Sequence, residues 1–399
     1  MKRSMFRHTV PIVMGWVASI FFTTAMACAW DRDTLAMEAK GLPELANILS
    51  GRFERQPDLY FEKRLARVTA ALAIAPDDFD AYDDAGVAAD RLKRGDAAIA
   101  WMARKKVVLD TQAADSPKTR DHLYRYHANI GTFYAHRWLR SGATRDSLAD
   151  LVQARSHIAK AIELNAHAHF GRERYQLMAI EWLVAAPPLV NGVDATLFWP
   201  ARERFANDPV FPDAVKNAGF KDAIAGLSGL VVLGDAWESI DVFLALGTAL
   251  QSEDHAGLAL LARLRVQELL AQGKRSLHPE LPPERLEKLL MPLGQMHQDQ
   301  VGTTAFFGAA RSYAQAWHAH RVGFMATRLQ SGKHPDTDAD FWQGYAALAG
   351  APEVPDSDRA SLAAKQVRIA QAGALLLVLC VTVLVWRRIR RRNSARKRP

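Results

Sequence analysis

A helical pattern with a glycine at its centre recurs three times along the chain and constrains the fold more than any other feature. In the first copy Tyr82 and Gly86 share one helical face, and Ala98 and Met102 lie on the stretch that follows. Positions three, four and seven residues apart lie on one side of an α-helix, so each copy predicts two helices packed face to face. A glycine within a helix costs about 1 kcal/mol relative to alanine, and close approach of the paired helix is the usual compensation.

The positions that carry the pattern are Tyr82, Gly86 and Ala98 in the first copy, Gly131, Tyr134 and Ala154 in the second, and Leu246, Gly247 and Ala259 in the third. This spacing resembles that of the tetratricopeptide repeat (TPR) family, in a degenerate form whose copies differ in length. The resemblance covers residues 59–183 and 231–271. It implies an all-α fold, a TPR-like α-solenoid of stacked helical hairpins.

A proline-rich stretch divides the body of the chain into two predicted lobes. Residues 187–212 contain five prolines, and a helix cannot continue through them because proline lacks the amide hydrogen. We therefore expect a TPR-like helical lobe at residues 30–186 and a second helical lobe with a TPR-like pair at residues 213–350. A longer helix is expected in the second lobe near Thr303–Leu329, where aromatic and apolar residues recur every three or four positions.

Residues 1–29 have the anatomy of a secretory signal peptide. A basic start precedes an apolar stretch at Val10–Phe22, and small residues follow at Ala25 and Ala27. The alternatives are an uncleaved first membrane helix and a lipoprotein in which Cys28 bears the lipid. In the signal-peptide interpretation the exported body begins near Trp30.

The carboxyl end predicts a membrane anchor. After a juxtamembrane linker and helix start at residues 351–368, Ile369–Trp386 is an 18-residue run without a charge, about 27 Å long as a helix. Residues 387–399 follow with eight basic side chains and no acid. By the positive-inside rule this basic tail is cytoplasmic. We therefore expect a single-pass protein of the cell inner membrane, in contact with the lipid bilayer through this run and with a periplasmic body.

The net charge of the whole chain is +8, and its two ends account for it. The first seven and the last thirteen residues carry eleven basic side chains and no acid, so the body between them has a net charge of −3. This balance argues against a nucleic-acid partner. The only cysteines, Cys28 and Cys380, lie near the two ends, so the body is expected to fold without a disulfide. The absence of an Asn-x-Ser/Thr sequon favours a bacterial envelope.

The sequence contains no known catalytic motif, so we expect a protein that is not an enzyme and has no cofactor. The alternative is a helical, metal-dependent envelope enzyme that uses two His-x-His pairs, His167 with His169 and His318 with His320. Residues i and i+2 of a helix point about 200° apart, so a helical pair does not chelate one ion. The acids within Asp336–Asp340 match a calcium loop incompletely and are expected to cap a helix.

In TPR proteins the first helix of each pair lines a concave groove, and the resemblance maps that groove onto this chain. The mapped positions are Asp80, Asp83, Val87 and Asp90 in the first copy and Arg125, Ala128, Thr132 and Ala135 in the second. Asn129 stands where some TPR grooves use an asparagine to hold a peptide backbone. The three acids predict a basic partner segment, and the alternative is that Arg125 pairs with one of them. The sequence thus predicts a non-enzymatic, membrane-anchored scaffold that binds another envelope protein or peptide segment.

Overall fold

Helices are the only regular elements in the part of the chain that the structure describes. A computed structural model describes residues 29–113, 116–166, 171–185, 222–253, 255–290 and 300–354. Its helices are α1 (Arg32–Lys40), α2 (Leu45–Ser50), α3 (Asp58–Ile74), α4 (Phe79–Arg91), α5 (Gly95–Leu109), α6 (Pro117–Arg140), α7 (Ala149–Leu164), α8 (Arg172–Val184), α9 (Ala223–Val232), α10 (Ile240–Ser252), α11 (Ala256–Ala271), α12 (Pro283–Leu290) and α13 (Gln300–Gln330). The predicted all-α class is confirmed for these residues.

Side-chain caps set the starts of the two helices that carry the candidate site. The Asp78 side chain accepts a hydrogen bond from the Ala81 amide at the start of α4. The Ser116 side chain accepts one from Thr119 at the start of α6, where Pro117 occupies the first turn. Such caps satisfy amides that have no partner within the helix. The local sequence therefore fixes where α4 and α6 begin.

Each of the three predicted helix pairs is present, as α4 with α5, α6 with α7 and α10 with α11. A Cβ atom at Gly86 would lie 2.8 Å from Cε of Met102, and one at Gly131 would lie 2.9 Å from the Ile158 side chain. These glycines let the paired helices approach closely, as predicted, and Gly247 sits in a looser contact whose nearest atom would be 3.4 Å away. Among the other packing positions, Tyr82, Ala98, Ala154, Leu246 and Ala259 are buried and Tyr134 is partly buried.

One hydrophobic cluster contains residues from both predicted lobes. Leu49 of α2, Ile158 of α7, Leu227 of α9, Leu246 of α10 and Phe307 of α13 all belong to it. The short helix α2 contacts α9, α11 and α13, and α13 also packs against α3. The residues near the amino end are therefore packed into the same core as the second predicted lobe.

Several sequence predictions fall outside the described residues. They are the signal peptide, the pair His167 and His169, the proline-rich stretch 187–212, the segment Ile369–Trp386 and the basic tail. Of the helices within the described ranges, none combines the length and the apolar character needed to cross a membrane.

The acids that follow α13 do not cap a helix, so that expectation is wrong. The residues from 335 to 344 form turns, and Oδ2 of Asp338 accepts a hydrogen bond from the His334 amide at 2.8 Å. The Asp336 carboxylate is only 4% exposed and forms an ion pair with Arg64 of α3 at 2.7 Å. The Asp336 carboxylate therefore forms a long-range ion pair instead of capping a helix.

Candidate functional site

Residues 29–40, here called the N-terminal segment, lie against α3, α4 and α6. Ala29 is 1% exposed and Trp30 is 6% exposed. The Trp30 ring meets the Tyr124 ring edge-on, with 5.4 Å between their centroids. Asp31 has extended backbone angles and its side chain accepts a hydrogen bond from the Thr34 amide, which starts α1. The N-terminal segment therefore begins as a short extended stretch and continues as a helix.

Asn129 of α6 holds the main chain of the N-terminal segment at Trp30. Its Oδ1 accepts a hydrogen bond from the Trp30 amide at 2.5 Å, and its Nδ2 donates to the Trp30 carbonyl at 3.0 Å. Nδ2 also donates to Oδ1 of Asp83 at 3.0 Å, and since an ionised carboxylate only accepts, this bond fixes the orientation of the amide. Asn129 is fully buried, and its contact with the segment uses main-chain atoms alone.

A buried ion pair supports Asn129 from behind. Nζ of Lys105 on α5 donates to both carboxylate oxygens of Asp83 at 2.7 Å, and both side chains are almost fully buried. Burial opposes ionisation of Asp83, but the positive charge of Lys105 outweighs it and brings the pKa of Asp83 below its ordinary value. Asp83 is therefore ionised at neutral pH and remains an acceptor for Asn129.

A buried arginine binds Asp31 and Asp33 of the N-terminal segment. Arg64 of α3 is 0% exposed, and its guanidinium lies 3.1 Å from Asp31, 2.9 Å from Asp33 and 2.7 Å from Asp336. Because three carboxylates crowd one cation, burial and the charge of Asp33 raise the pKa of Asp31 to about 7. Arg64 thus joins the N-terminal segment both to α3 and to the turns after α13.

The side chains at the start of the N-terminal segment each have a partner of matching chemistry. Between the two acids that bind Arg64, Arg32 donates from Nε to Asp84 of α4 at 2.7 Å, and the Arg32 amide donates to the same carboxylate at 3.2 Å. The site therefore accepts, in chain order, an aromatic ring, an acid, a base and an acid.

The predicted strip of three accessible carboxylates is wrong for two of its members. Asp83 and Asp90 are buried, at 2% and 0% exposed. Only Asp80 is exposed, and it forms an ion pair with Arg125 at 2.8 Å, the alternative that the sequence left open. A basic partner segment therefore finds no row of free acids on this face.

Asp90 is neutralised by α6 itself. His136 Nδ1 and Arg140 Nη1 each lie 2.6 Å from its carboxylate. Burial opposes ionisation of Asp90, but His136 and Arg140 outweigh it and hold the pKa of Asp90 well below its usual range. Thr132, also mapped to the groove, is buried and accepts a hydrogen bond from Gln176 of α8 at 3.0 Å. Apart from Asp80 and Arg125, the mapped residues therefore form an interior face, which the N-terminal segment partly covers at Trp30 and Arg32.

One group of possible metal ligands occurs among the described residues. Ligand atoms of Asp80, Asp83 and His122 lie within 4.8 Å of one another. Lys105 and Arg125 already pair with the two carboxylates, so a metal ion there would face two positive charges. The arrangement does not favour a metal.

His318 and His320 lie two residues apart on the continuous helix α13, as expected of a pair that does not chelate one ion. His320 Nε2 lies 2.9 Å from the carbonyl oxygen of Ala346.

Sequence reasoning missed Arg64 and Lys105, and it assigned Asp336 to a helix cap rather than to an ion pair. Each looked like an ordinary charge on a helix or in a loop. Their partners lie between 22 and 272 residues away, so no local spacing marks them. Asn129 was found, but the segment that it holds was not.

Comparison with known proteins returned no counterpart: no family model matches the chain, and neither a curated protein nor a solved structure is significantly similar to it.

Proposed function

We propose that this protein is a non-enzymatic, membrane-anchored scaffold of TPR-like stacked helical pairs that binds an extended segment of another bacterial envelope protein. The observation that carries the proposal is the two-point contact of Asn129 with the main chain of Trp30. Since the contact involves no side chain of the segment, the main chain of another extended segment can make the same two hydrogen bonds.

The partner segment in this proposal competes with the N-terminal segment for one site. Arg64 is fully buried, and a segment that displaced Asp31 and Asp33 without supplying an acid would leave it with only Asp336 of its three carboxylate partners. The proposed partner segment therefore carries an aromatic residue followed by at least one acid. This replaces the basic segment that the sequence alone predicted.

The membrane anchor in this proposal rests on the sequence of Ile369–Trp386 and its basic flank. An anchor that follows directly after the body would hold the site close to the bilayer. The proposed partner is therefore a membrane-bound or membrane-proximal envelope protein.

Photo-crosslinking in living cells tests the proposal. A photoreactive residue replaces Asp80, which is exposed beside the site, and a second one replaces Val107, 69% exposed on α5, as a control position. We expect a crosslink to one envelope protein from position 80 and none from position 107.

Two variants with opposite expected effects show whether the crosslinked protein binds at this site or only lies near position 80. Trp30→Ala weakens the chain's own segment and should increase the crosslink, whereas Asn129→Ala removes the contact that the partner would use and should abolish it. A crosslink that both variants leave unchanged would show that the partner binds elsewhere.

A further inference from the structure

A cavity of about 350 Å³ opens beside the N-terminal segment. Its walls come from that segment, the residues before α3, the end of α4, the turn between α9 and α10, and α13. Ligand cavities in proteins span roughly 300–1,000 Å³, so this one suits a small molecule rather than a polypeptide.

Arg55 lines this cavity, and no carboxylate of the described residues forms an ion pair with it. Its guanidinium stacks over the rings of Phe53 and Trp237, 4.7 and 5.2 Å from their centroids. Its Nη1 is buried and makes no hydrogen bond within the described part of the chain, which is costly for a charged donor. Burial and the charges of Arg311 and Arg265 lower the pKa of Arg55 to about 10, so the group is still positively charged at neutral pH.

Two further arginines lie over the Trp237 ring. Arg265 and Arg311 are 3.8 and 5.0 Å from its centroid. Both form ion pairs at 2.8 Å with one carboxylate, that of Glu268. Among the described residues, Arg55 is therefore the one of these three guanidinium groups that no carboxylate contacts directly. An anion in the cavity beside Arg55 would supply that contact.

His318 of α13 supplies a second unsatisfied group in the same cavity. Its Nδ1 is buried and has no hydrogen-bond partner among the residues that the structure describes. Burial and the charge of Arg55 lower the pKa of His318 to about 4, so the imidazole is neutral at pH 7 and can donate one hydrogen bond.

The acids that line the cavity are mostly engaged with other cations. Asp31 and Asp33 contact Arg64, Glu54 contacts Arg321, and Asp235 contacts Arg91. The remaining one, Asp58, is exposed at the start of α3, where a carboxylate stabilises the helix dipole. None of them forms an ion pair with Arg55.

We propose that this cavity binds a small molecule with a carboxylate or phosphate group that accepts hydrogen bonds from Arg55 Nη1 and His318 Nδ1. The apolar part of the molecule lies against Phe53, Val231 and Leu233, which also line the cavity. Neither Arg55 nor His318 takes part in the Asn129 contact, so anion binding and partner binding are tested by different variants, although Asp31 and Asp33 of the N-terminal segment also line the cavity.

Three probes with the same aromatic ring test the site in the purified full chain by isothermal titration calorimetry. Phenyl phosphate and benzoate carry the two candidate anions, and benzyl alcohol carries no charge. We expect saturable one-to-one binding of at least one anion and none of the alcohol. The stronger of the two anions identifies the natural group. Absence of binding by both anions would overturn the proposal.

The variant Arg55→Gln should lower the affinity for the bound anion at least about tenfold, because it removes the charge of the donor. The matched control is Arg52→Gln, since Arg52 stacks over Tyr313 and does not line the cavity. It should leave the affinity unchanged. If the melting temperature shows that Arg55→Gln is unstable, Arg55→Lys keeps the charge but loses the paired donors and should give an intermediate affinity. Equal affinity in the wild type and in every folded Arg55 variant would refute the assignment.

Discussion

Replacing Asn129 with alanine should release the N-terminal segment while the rest of the protein stays folded. The side chain makes three hydrogen bonds, two to the main chain of Trp30 and one to the ionised Asp83. The change leaves α6 intact because alanine is a better helix former than asparagine. The loss therefore falls on docking of the N-terminal segment rather than on the helix.

The size of the effect on docking follows from the two bonds to Trp30, because Asp83 lies on α4 and not on the N-terminal segment. A hydrogen bond between neutral groups contributes about 0.5–1.5 kcal/mol. The two together give about 2 kcal/mol, which corresponds to about thirtyfold in the docking equilibrium.

Hydrogen exchange followed by mass spectrometry measures this equilibrium locally. We expect the peptide that covers residues 29–40 to lose most of its protection in Asn129→Ala, and a peptide from α11 to keep it. The control is Arg120→Ala, an exposed position on the same helix, which should behave like the wild type. Unchanged protection of residues 29–40 would refute the role of Asn129. Equal loss of protection in α11 would show that the segment cannot leave without global unfolding.

Three further predictions concern topology, packing and pH. An alkaline phosphatase fusion should be active when joined near Gly350 and inactive when joined at Pro399; the reverse would invert the proposed topology. In thermal unfolding, Gly131→Ala should lower the stability of the protein by about 1–2 kcal/mol through overpacking. The control Gly323→Ala, where a Cβ meets nothing within 4 Å, should raise it by about 0.5–1 kcal/mol. Equal shifts in the two variants would exclude the packing explanation. Because docking raises the pKa of Asp31 to about 7, above an ordinary value near 4, docking should be strongest below about pH 4 and weaken up to about pH 7, with no further change above it. In Asp31→Asn, hydrogen exchange corrected for its intrinsic pH dependence should show no change of docking with pH. A pH dependence that persists in this variant would belong to another titrating group.

The helix pairs could be predicted from the sequence because their signal is local. Gly86 and Gly131 stand at fixed distances from the large residues of the same helix and from the small residues of the next. Each pair is close in sequence, so the periodicity of one helix already indicates the face that it buries. Asn129 was found through the resemblance to TPR proteins, some of whose grooves use an asparagine at that position to hold a peptide backbone.

The burial and the ion pairs of the charged residues at the site could not be predicted from helical periodicity. Asp83 and Asp90 stand near the start and the end of an amphipathic helix, where acids are usually solvated. They are buried because Lys105 and His136, contributed by two other helices, neutralise them. Whether an acid near a helix end faces water or a buried cation is decided by tertiary packing, which helical periodicity does not encode.

Arg64 has a consequence for the order in which the molecule assembles. Its counter-ions come from residues 31 and 33 at one end of the body and from residue 336 at the other, a separation of 272 residues from Arg64 to Asp336. Ribosomes deliver a chain amino terminus first, so helix α3 is complete long before Asp336 exists. Until then only Asp31 and Asp33 of its three carboxylate partners have been made. The ion pair that joins α3 to the turns after α13 can therefore form only after nearly the whole body has left the ribosome, however early the contacts between α3 and the N-terminal segment form.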